Sequence, residues 1–128
     1  MAAIGAELVP RFEALLDSGL AGIDLDSSIR GADLVITAEG AVDFQTPRGK
    51  IPAEVGRRAK LAGKPVIALA GSIGLGSDAV HAAGIDAVMG IIPVPMDLTE
   101  AVSRADELVT DATERALRLI LLGAAIAA

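Results

Sequence analysis

DLVITAEGAVDFQTPRGK is the sequence from Asp33 to Lys50. It begins with the apolar run Leu34–Ile36 and continues as a polar stretch punctuated by glycine. A short apolar run bounded in this way is typical of a strand buried in a parallel sheet. Because ligands of open α/β sheets bind outside the carboxyl ends of such strands, we predict a strand over Leu34–Thr37 and a functional loop after it.

The predicted loop is rich in groups that can do chemistry. Within twelve residues it carries two carboxylates, an amide, a hydroxyl and an ammonium group: Glu39, Asp43, Gln45, Thr46 and Lys50. Phosphoryl transfer needs a carboxylate that orients or deprotonates the attacking hydroxyl. It also needs a divalent cation held by oxygens and positive charge near the phosphates. Asp43 and Glu39 could supply the first two and Lys50 the third. For each residue taken alone, a solvated loop side chain or a helix cap is the favoured interpretation.

The rest of the chain predicts alternating helices and strands. Further strands are predicted over Val66–Ala70 and Ala87–Ile92. Helices are predicted over residues 5–18, 26–29 and 52–62, between an N-cap at Ser77 and Gly84, and from Asp97 onwards. Because βαβ crossovers are right-handed, the three strands should be parallel, with residues 39–50, 71–76 and 93–96 at one edge of the sheet. The fold class is therefore α/β, in a single domain.

The last helix has the strongest signals. Asp97 and Glu100 resemble a capping box at its start. Apolar residues then recur at spacings of four and three: Leu98, Val102, Ala105, Val109, Ala112, Ala116 and Leu119. This pattern predicts an amphipathic stripe facing a sheet. A coiled coil is the alternative, but the alanine-rich stripe and the α/β surroundings favour the sheet.

Two other features carry weaker signals. The glycine-rich segment Gly71–Gly76 follows a strand and could present backbone N–H groups to phosphate. It matches neither nucleotide-binding glycine motif, so a tight turn into a helix is the favoured interpretation. His81 is expected at the surface, and Arg57, Arg58 and Lys60 are expected on a solvated helix face.

Composition excludes several classes of function. The formal net charge of −6 argues against binding a nucleic-acid backbone, which needs a basic surface. The absence of cysteine and the single histidine exclude disulfides, thiolate chemistry and a multi-histidine metal site. Aromatic residues make up only 2% of the chain, so the core must consist of aliphatic side chains, as suits a parallel sheet wrapped by helices.

The motif around Asp43 carries a family resemblance. Residues 37–50, TAEGAVDFQTPRGK, resemble the pattern T-G-E-G-R-[IL]-D-x-Q-T-x-x-G-K of bacterial glycerate kinases. Gly5–Leu8 with Pro10, Lys64–Ile67, Ala70–Ser72 and Gly84–Val88 resemble flanking family segments in the same order. The likeness covers nearly the whole chain, but it corresponds only to the C-terminal third or so of such kinases.

This resemblance implies an ATP-dependent glycerate kinase that uses Mg²⁺, of which the chain supplies the C-terminal part. It also implies a Rossmann-like α/β/α fold within a larger two-domain enzyme. By resemblance the catalytic residues are Asp43, Lys50 and Glu39, with Asp43 and Glu39 at the metal. The substrate-binding residues are Gln45, Thr46, Gly40, Gly49 and Ser72.

Three positions depart from the family pattern. Ala38 stands where Gly is usual, Ala41 where Arg is usual, and Phe44 where a small polar residue is usual. Losing the Arg removes a guanidinium that could bind carboxylate or phosphate in a bidentate manner. A non-catalytic α/β binding module, either a remnant or one half of a split kinase, is therefore the rival interpretation. A dinucleotide-binding oxidoreductase fragment is a third, but its glycine fingerprint is lacking.

The expected partners are glycerate and either the N-terminal part of the kinase or a second copy of the chain. No nucleic acid or membrane partner is expected. Residues 1–4 show no basic, apolar leader, and the C-terminal apolar run is shorter than the roughly 20 residues that a membrane span needs. We therefore expect a cytoplasmic protein.

Overall fold

The computed structural model describes residues 24–43, 45–47 and 51–128. The helix predicted over residues 5–18 lies outside this part of the chain, as do Phe44, Gly49 and Lys50. The predicted roles of Gly49 and Lys50 therefore stay predictions.

The described elements alternate as the sequence predicts. In chain order they are α1 (Leu25–Gly31), β1 (Val35–Val42), α2 (Ile51–Leu61), β2 (Val66–Ile73), a 3₁₀ helix (Ser77–Ala83), β3 (Ala87–Gly90), α3 (Leu98–Ser103) and α4 (Ala105–Ala127).

The three strands form one parallel sheet in the order β1-β2-β3. Val35 pairs with Val66 at the start of the first ladder, and Ile67 pairs with Ala87 at the start of the second. Consecutive parallel neighbours joined by helices are what right-handed βαβ units produce. The predicted topology is confirmed.

Side-chain alternation along β2 divides the core between the two faces of the sheet. Val66, Ala68 and Ala70 belong to a cluster that includes Ile29 of α1 and Ala59 of α2. The intervening residues Ile67 and Leu69 belong to a second cluster with Ala116 of α4. Because successive strand residues face opposite ways, β2 is buried on both sides. This is the predicted three-layer α/β/α arrangement.

The first two strands are longer than predicted. We expected β1 to end at Thr37 and β2 at Ala70, with polar loops after them. Instead β1 continues to Val42 and β2 to Ile73, because the ladder resumes at the pairs Ala41–Ser72 and Val42–Ile73. The first half of the motif, including Glu39, is therefore strand and not loop. β3, in contrast, ends at Gly90, short of the predicted Ile92.

Two helical predictions need correction. The helix predicted after Ser77 is a 3₁₀ helix, and its N-cap is Gly76, which has φ 71° and makes no side-chain capping bond. The predicted final helix is two helices separated at Arg104. Its start is as predicted, since the Asp97 carboxylate accepts the backbone N–H of Glu100 at 2.8 Å.

The apolar stripe on α3 and α4 is buried only in its middle. Ala112 and Ala116 are buried as predicted. At the two ends, Leu98 is 78% exposed and Leu119 is 59% exposed. The described part of the chain thus leaves apolar helix surface uncovered, which in proteins is typical of interaction sites.

Candidate functional site

The carboxyl ends of the strands gather the predicted functional segments at one edge. β1 ends at Val42, and Asp43 follows directly. Ser72 of β2 lies opposite Ala41, and the backbone N–H of Gly74 donates to the Val42 carbonyl at 2.8 Å. Asp43 and Ser72 therefore share the edge that the topology predicts.

Asp43 begins a tight turn. Its Oδ1 accepts the backbone N–H of Gln45 at 2.8 Å, and its carbonyl accepts the backbone N–H of Thr46 at 3.1 Å. Asp favours such turns because its short side chain can bond to the backbone two residues further on. The turn fixes the carboxylate in orientation just beyond the strand.

Thr46 stabilises this turn from its buried side. Its side chain is fully buried, and its Oγ1 accepts the backbone N–H of Asp43 at 3.0 Å. Thr46 thus positions Asp43, which sequence reasoning missed. Gln45 is exposed, so its amide is accessible at the edge. Contact of either residue with substrate stays a prediction.

The glycine-rich segment packs against the motif. A Cβ built on Gly71 would lie 2.6 Å from the Gly40 carbonyl oxygen, and one on Gly74 would lie 3.1 Å from the Asp43 Cβ. These two glycines therefore permit a close approach of backbone that a side chain would obstruct. Gly40 itself has open space around its Cβ position, and Ser72 is exposed on β2.

Glu39 lies within β1 and is half-buried. Its Oε1 accepts the backbone N–H of Gly40 at 3.1 Å. Among the described residues, no group of three or more acidic or histidine side chains is placed to hold a metal ion. Mg²⁺ in phosphoryl-transfer sites is held by one or two carboxylates together with substrate phosphates. The donor set of Glu39 and Asp43 is compatible with that arrangement.

Glu39 also lines an apolar groove of about 410 Å³. The groove runs between the ends of β1 and β2 and the helices α3 and α4. Its lining residues are Ala38, Glu39, Gly40, Leu69, Gly71, Ile91, Ile92, Leu98, Ala101, Val102, Ala105 and Val109. The only sequence signal for this groove was the apolar stripe on the last predicted helix, which we expected to cover the sheet. Leu98 and Val102 of that stripe border an open space instead.

Away from this edge, α2 carries an ion-pair cluster. Glu54 bonds to Arg57 at 2.6 Å and to Arg58 at 2.9 Å. Hydrogen bonds from Arg57 lower the pKa of the Glu54 carboxyl, with Arg58 adding to the effect against the opposing effect of burial. The Arg58 side chain is only 9% exposed, so the expectation of a solvated face is wrong for Arg58. The surface expectation holds for His81, which is exposed.

The described helices also bear on membrane insertion. None of them combines the length and the apolar character that crossing a membrane requires.

Comparison with known proteins places this geometry in context. The profile of the Glycerate kinase family matches residues 1–121. A glycerate kinase from Halalkalibacterium halodurans is 41% identical over 112 residues, which are 88% of this chain and 28% of the relative. The glycerate 2-kinase of Escherichia coli is 35% identical over 123 residues, which are 96% of this chain and 31% of the relative.

A solved structure shows the same relationship. A protein assigned as glycerate kinase 2 from Salmonella typhimurium LT2 is 38% identical, with a TM-score of 0.51, over 76% of this chain and 24% of that chain. The chain therefore spans less than a third of the length of each of these relatives.

Proposed function

Because this chain belongs to the glycerate kinase family, we propose that it supplies the C-terminal part of an enzyme that transfers a phosphoryl group from ATP to glycerate. The supporting observation is the fixed carboxylate of Asp43 at the carboxyl edge of the sheet, beside the backbone of Gly74. This is where open α/β sheets bind ligands.

Asp43 is the proposed catalytic base. A carboxylate at this position can accept the proton of the attacking glycerate hydroxyl while one of its oxygens remains bonded to the backbone N–H of Gln45. Holding the carboxylate in place beforehand removes the cost of orienting it during the reaction. Lys50 follows in the same loop and would counter the charge that develops on the phosphoryl oxygens.

The carboxylates of Asp43 and Glu39 would hold Mg²⁺, whose charge would offset that of the nucleotide phosphates. Gln45, with its exposed amide, is proposed to bind the carboxylate or hydroxyl groups of glycerate, together with Gly40, Gly49 and Ser72. The buried Thr46 would act on this site through Asp43, whose backbone N–H it accepts. Ala41, where the family usually has Arg, makes carboxylate binding by a guanidinium from that position impossible.

The remainder of the site is proposed to come from the rest of a family member, because the chain spans under a third of its relatives. Two features of the described residues support the need for a partner. β1 and β3 are the outer strands of the sheet, and each offers backbone groups for pairing. The last turns of α4 expose Leu121, Leu122 and Ile126, and a helix that is apolar on all sides is normally buried.

A chimera tests the proposal. This chain would replace the matching segment of the Halalkalibacterium halodurans glycerate kinase, and ATP consumption with glycerate would be measured by a coupled assay. We expect turnover by the chimera and none by the isolated chain. Turnover by the isolated chain would show that the site is complete within it. A chimera that unfolds cooperatively but has no activity would favour the non-catalytic module, for which Ala41 already argues.

A further inference from the structure

The apolar groove borders the proposed active edge, and its form follows from the packing of α4. This helix packs on β2 and β3, whereas none of the described helices has a comparable contact with the corresponding face of β1. Ile36 and Ala38 of β1 lie opposite Ile67 and Leu69 in the ladder, and both are exposed. Ala38 and Leu69 are at the strand side of the groove, and α3 forms the other side.

The α3 side of the groove is strongly apolar. Leu98 is 78% exposed and Val102 is 66% exposed, and Ala101 and Ala105 lie beside them in the lining. Glu39, Gly40 and Gly71 line the groove towards the carboxyl ends of β1 and β2, and Asp43 follows β1 there. A ligand suited to this groove has one apolar part and one polar part.

We infer that the groove binds the adenine and ribose of the nucleotide, an inference that rests on the proposed kinase function. Of the two reactants, glycerate consists entirely of polar groups, so only the nucleotide has an apolar ring that gains from burial against Leu69, Leu98 and Val102. The groove volume of about 410 Å³ lies within the typical range of small-molecule sites, about 300–1,000 Å³.

The position of the groove also sets the direction of the nucleotide. Glu39 and Gly40 belong both to the groove and to the motif strand that leads to Asp43. With adenine against α3, the ribose and phosphates extend past Gly40 and Gly71 towards the edge that carries Asp43.

The alternative occupant is apolar surface from the rest of a family member. The two occupants differ in what they predict for free ligands. A nucleoside site binds adenosine without phosphates, whereas a site that holds only the phosphates binds tripolyphosphate and not adenosine.

Ligand-observed NMR on this chain would measure binding of adenosine, ATP and tripolyphosphate at millimolar concentrations. We expect adenosine and ATP to bind and to compete with each other. Val102→Trp should weaken both by about tenfold or more, because the indole fills the groove from an exposed helix position. Val94→Trp is the matched control, since Val94 is 59% exposed and does not line the groove, and it should bind as the parent does.

Leu98→Trp, at a second exposed lining position, repeats the test if Val102→Trp does not fold. Absence of adenosine binding, or equal binding by both groove variants and the control, would overturn the inference. A chimera that phosphorylates glycerate with the parental KM for ATP despite Val102→Trp would also overturn it, while leaving the proposed kinase function intact.

Discussion

Gly74 lies directly against Asp43: a Cβ built on this glycine would be 3.1 Å from the Asp43 Cβ. The Gly74 N–H also donates to the carbonyl of Val42 at 2.8 Å. The loop after β2 therefore forms one side of the turn that carries the proposed base. Asp43 and Gly74 are 31 positions apart in the sequence, so the turn depends on a contact between distant segments. Substitutions on either segment should therefore affect the Asp43 carboxylate.

Asp43→Asn should lower kcat of the chimera by about 10²-fold or more and change the KM for ATP little. The amide oxygen of Asn can still accept the N–H of Gln45, so the turn is retained while the negative charge is lost. Steady-state kinetics with glycerate and ATP provides the measurement. If kcat is unchanged, Asp43 is only a turn residue.

Thr46→Val should destabilise the chain by about 1–3 kcal/mol, because the N–H of Asp43 loses its acceptor inside the turn. Thr46→Ser keeps the hydroxyl and serves as the control. Urea unfolding followed by circular dichroism measures both. Equal stabilities of the Val and Ser variants would show that the bond between Thr46 and Asp43 contributes nothing.

Gly71→Ala should destabilise the chain far more than Gly40→Ala. The new methyl group at Gly71 would meet the Gly40 carbonyl oxygen, which is backbone and cannot rotate away, whereas a methyl group at Gly40 has open space. Thermal unfolding of the two variants tests this directly. A fall in activity of a stable Gly40→Ala chimera would then report on ligand contact at Gly40 and not on folding. Similar melting temperatures for both variants would contradict the close approach.

Glu54→Gln should lower the stability at pH 7 by about 1–2 kcal/mol, because Glu54 bonds to two arginines. Hydrogen bonds to charged groups contribute about 1.5–3 kcal/mol, and solvent screening at the half-exposed Arg57 reduces this contribution. The pKa of Glu54 is lowered in the folded state. Its contribution is therefore complete above its unfolded pKa of about 4.3 and is lost as the pH falls through the lower folded pKa.

The stability difference between the parent chain and Glu54→Gln, measured by urea unfolding at a series of pH values, should accordingly shrink in acid. Glu107→Gln provides the control, because Glu107 forms its ion pair with Arg104 at an exposed position and such pairs contribute little. If the stability difference between the parent chain and Glu54→Gln is the same at neutral and acid pH, the titration of Glu54 does not contribute to acid unfolding.

Much of this protein follows from the sequence alone. The apolar runs at residues 34–36, 66–70 and 87–92 predicted three parallel strands, and the structure confirms them. Asp97 predicted the start of a helix and caps α3. The motif from Thr37 to Lys50 identified the family, and its place after an apolar run located the candidate site. These are local signals, because hydrophobic period, capping chemistry and motif spacing act within a few residues.

The tertiary structure decided the rest. We predicted that the first two strands end at Thr37 and Ala70, but pairing with each other carries them past Gly40 and Gly71. Thr46, predicted to bind substrate, is fully buried, and its hydroxyl accepts the backbone N–H of Asp43. The stripe on the last helix looked like core and partly lines a groove. Each of these three features depends on which distant segment of the chain lies opposite. Neither hydrophobic periodicity nor motif spacing contains that information, because contacts between residues far apart in sequence form only when the sheet and its helices pack together.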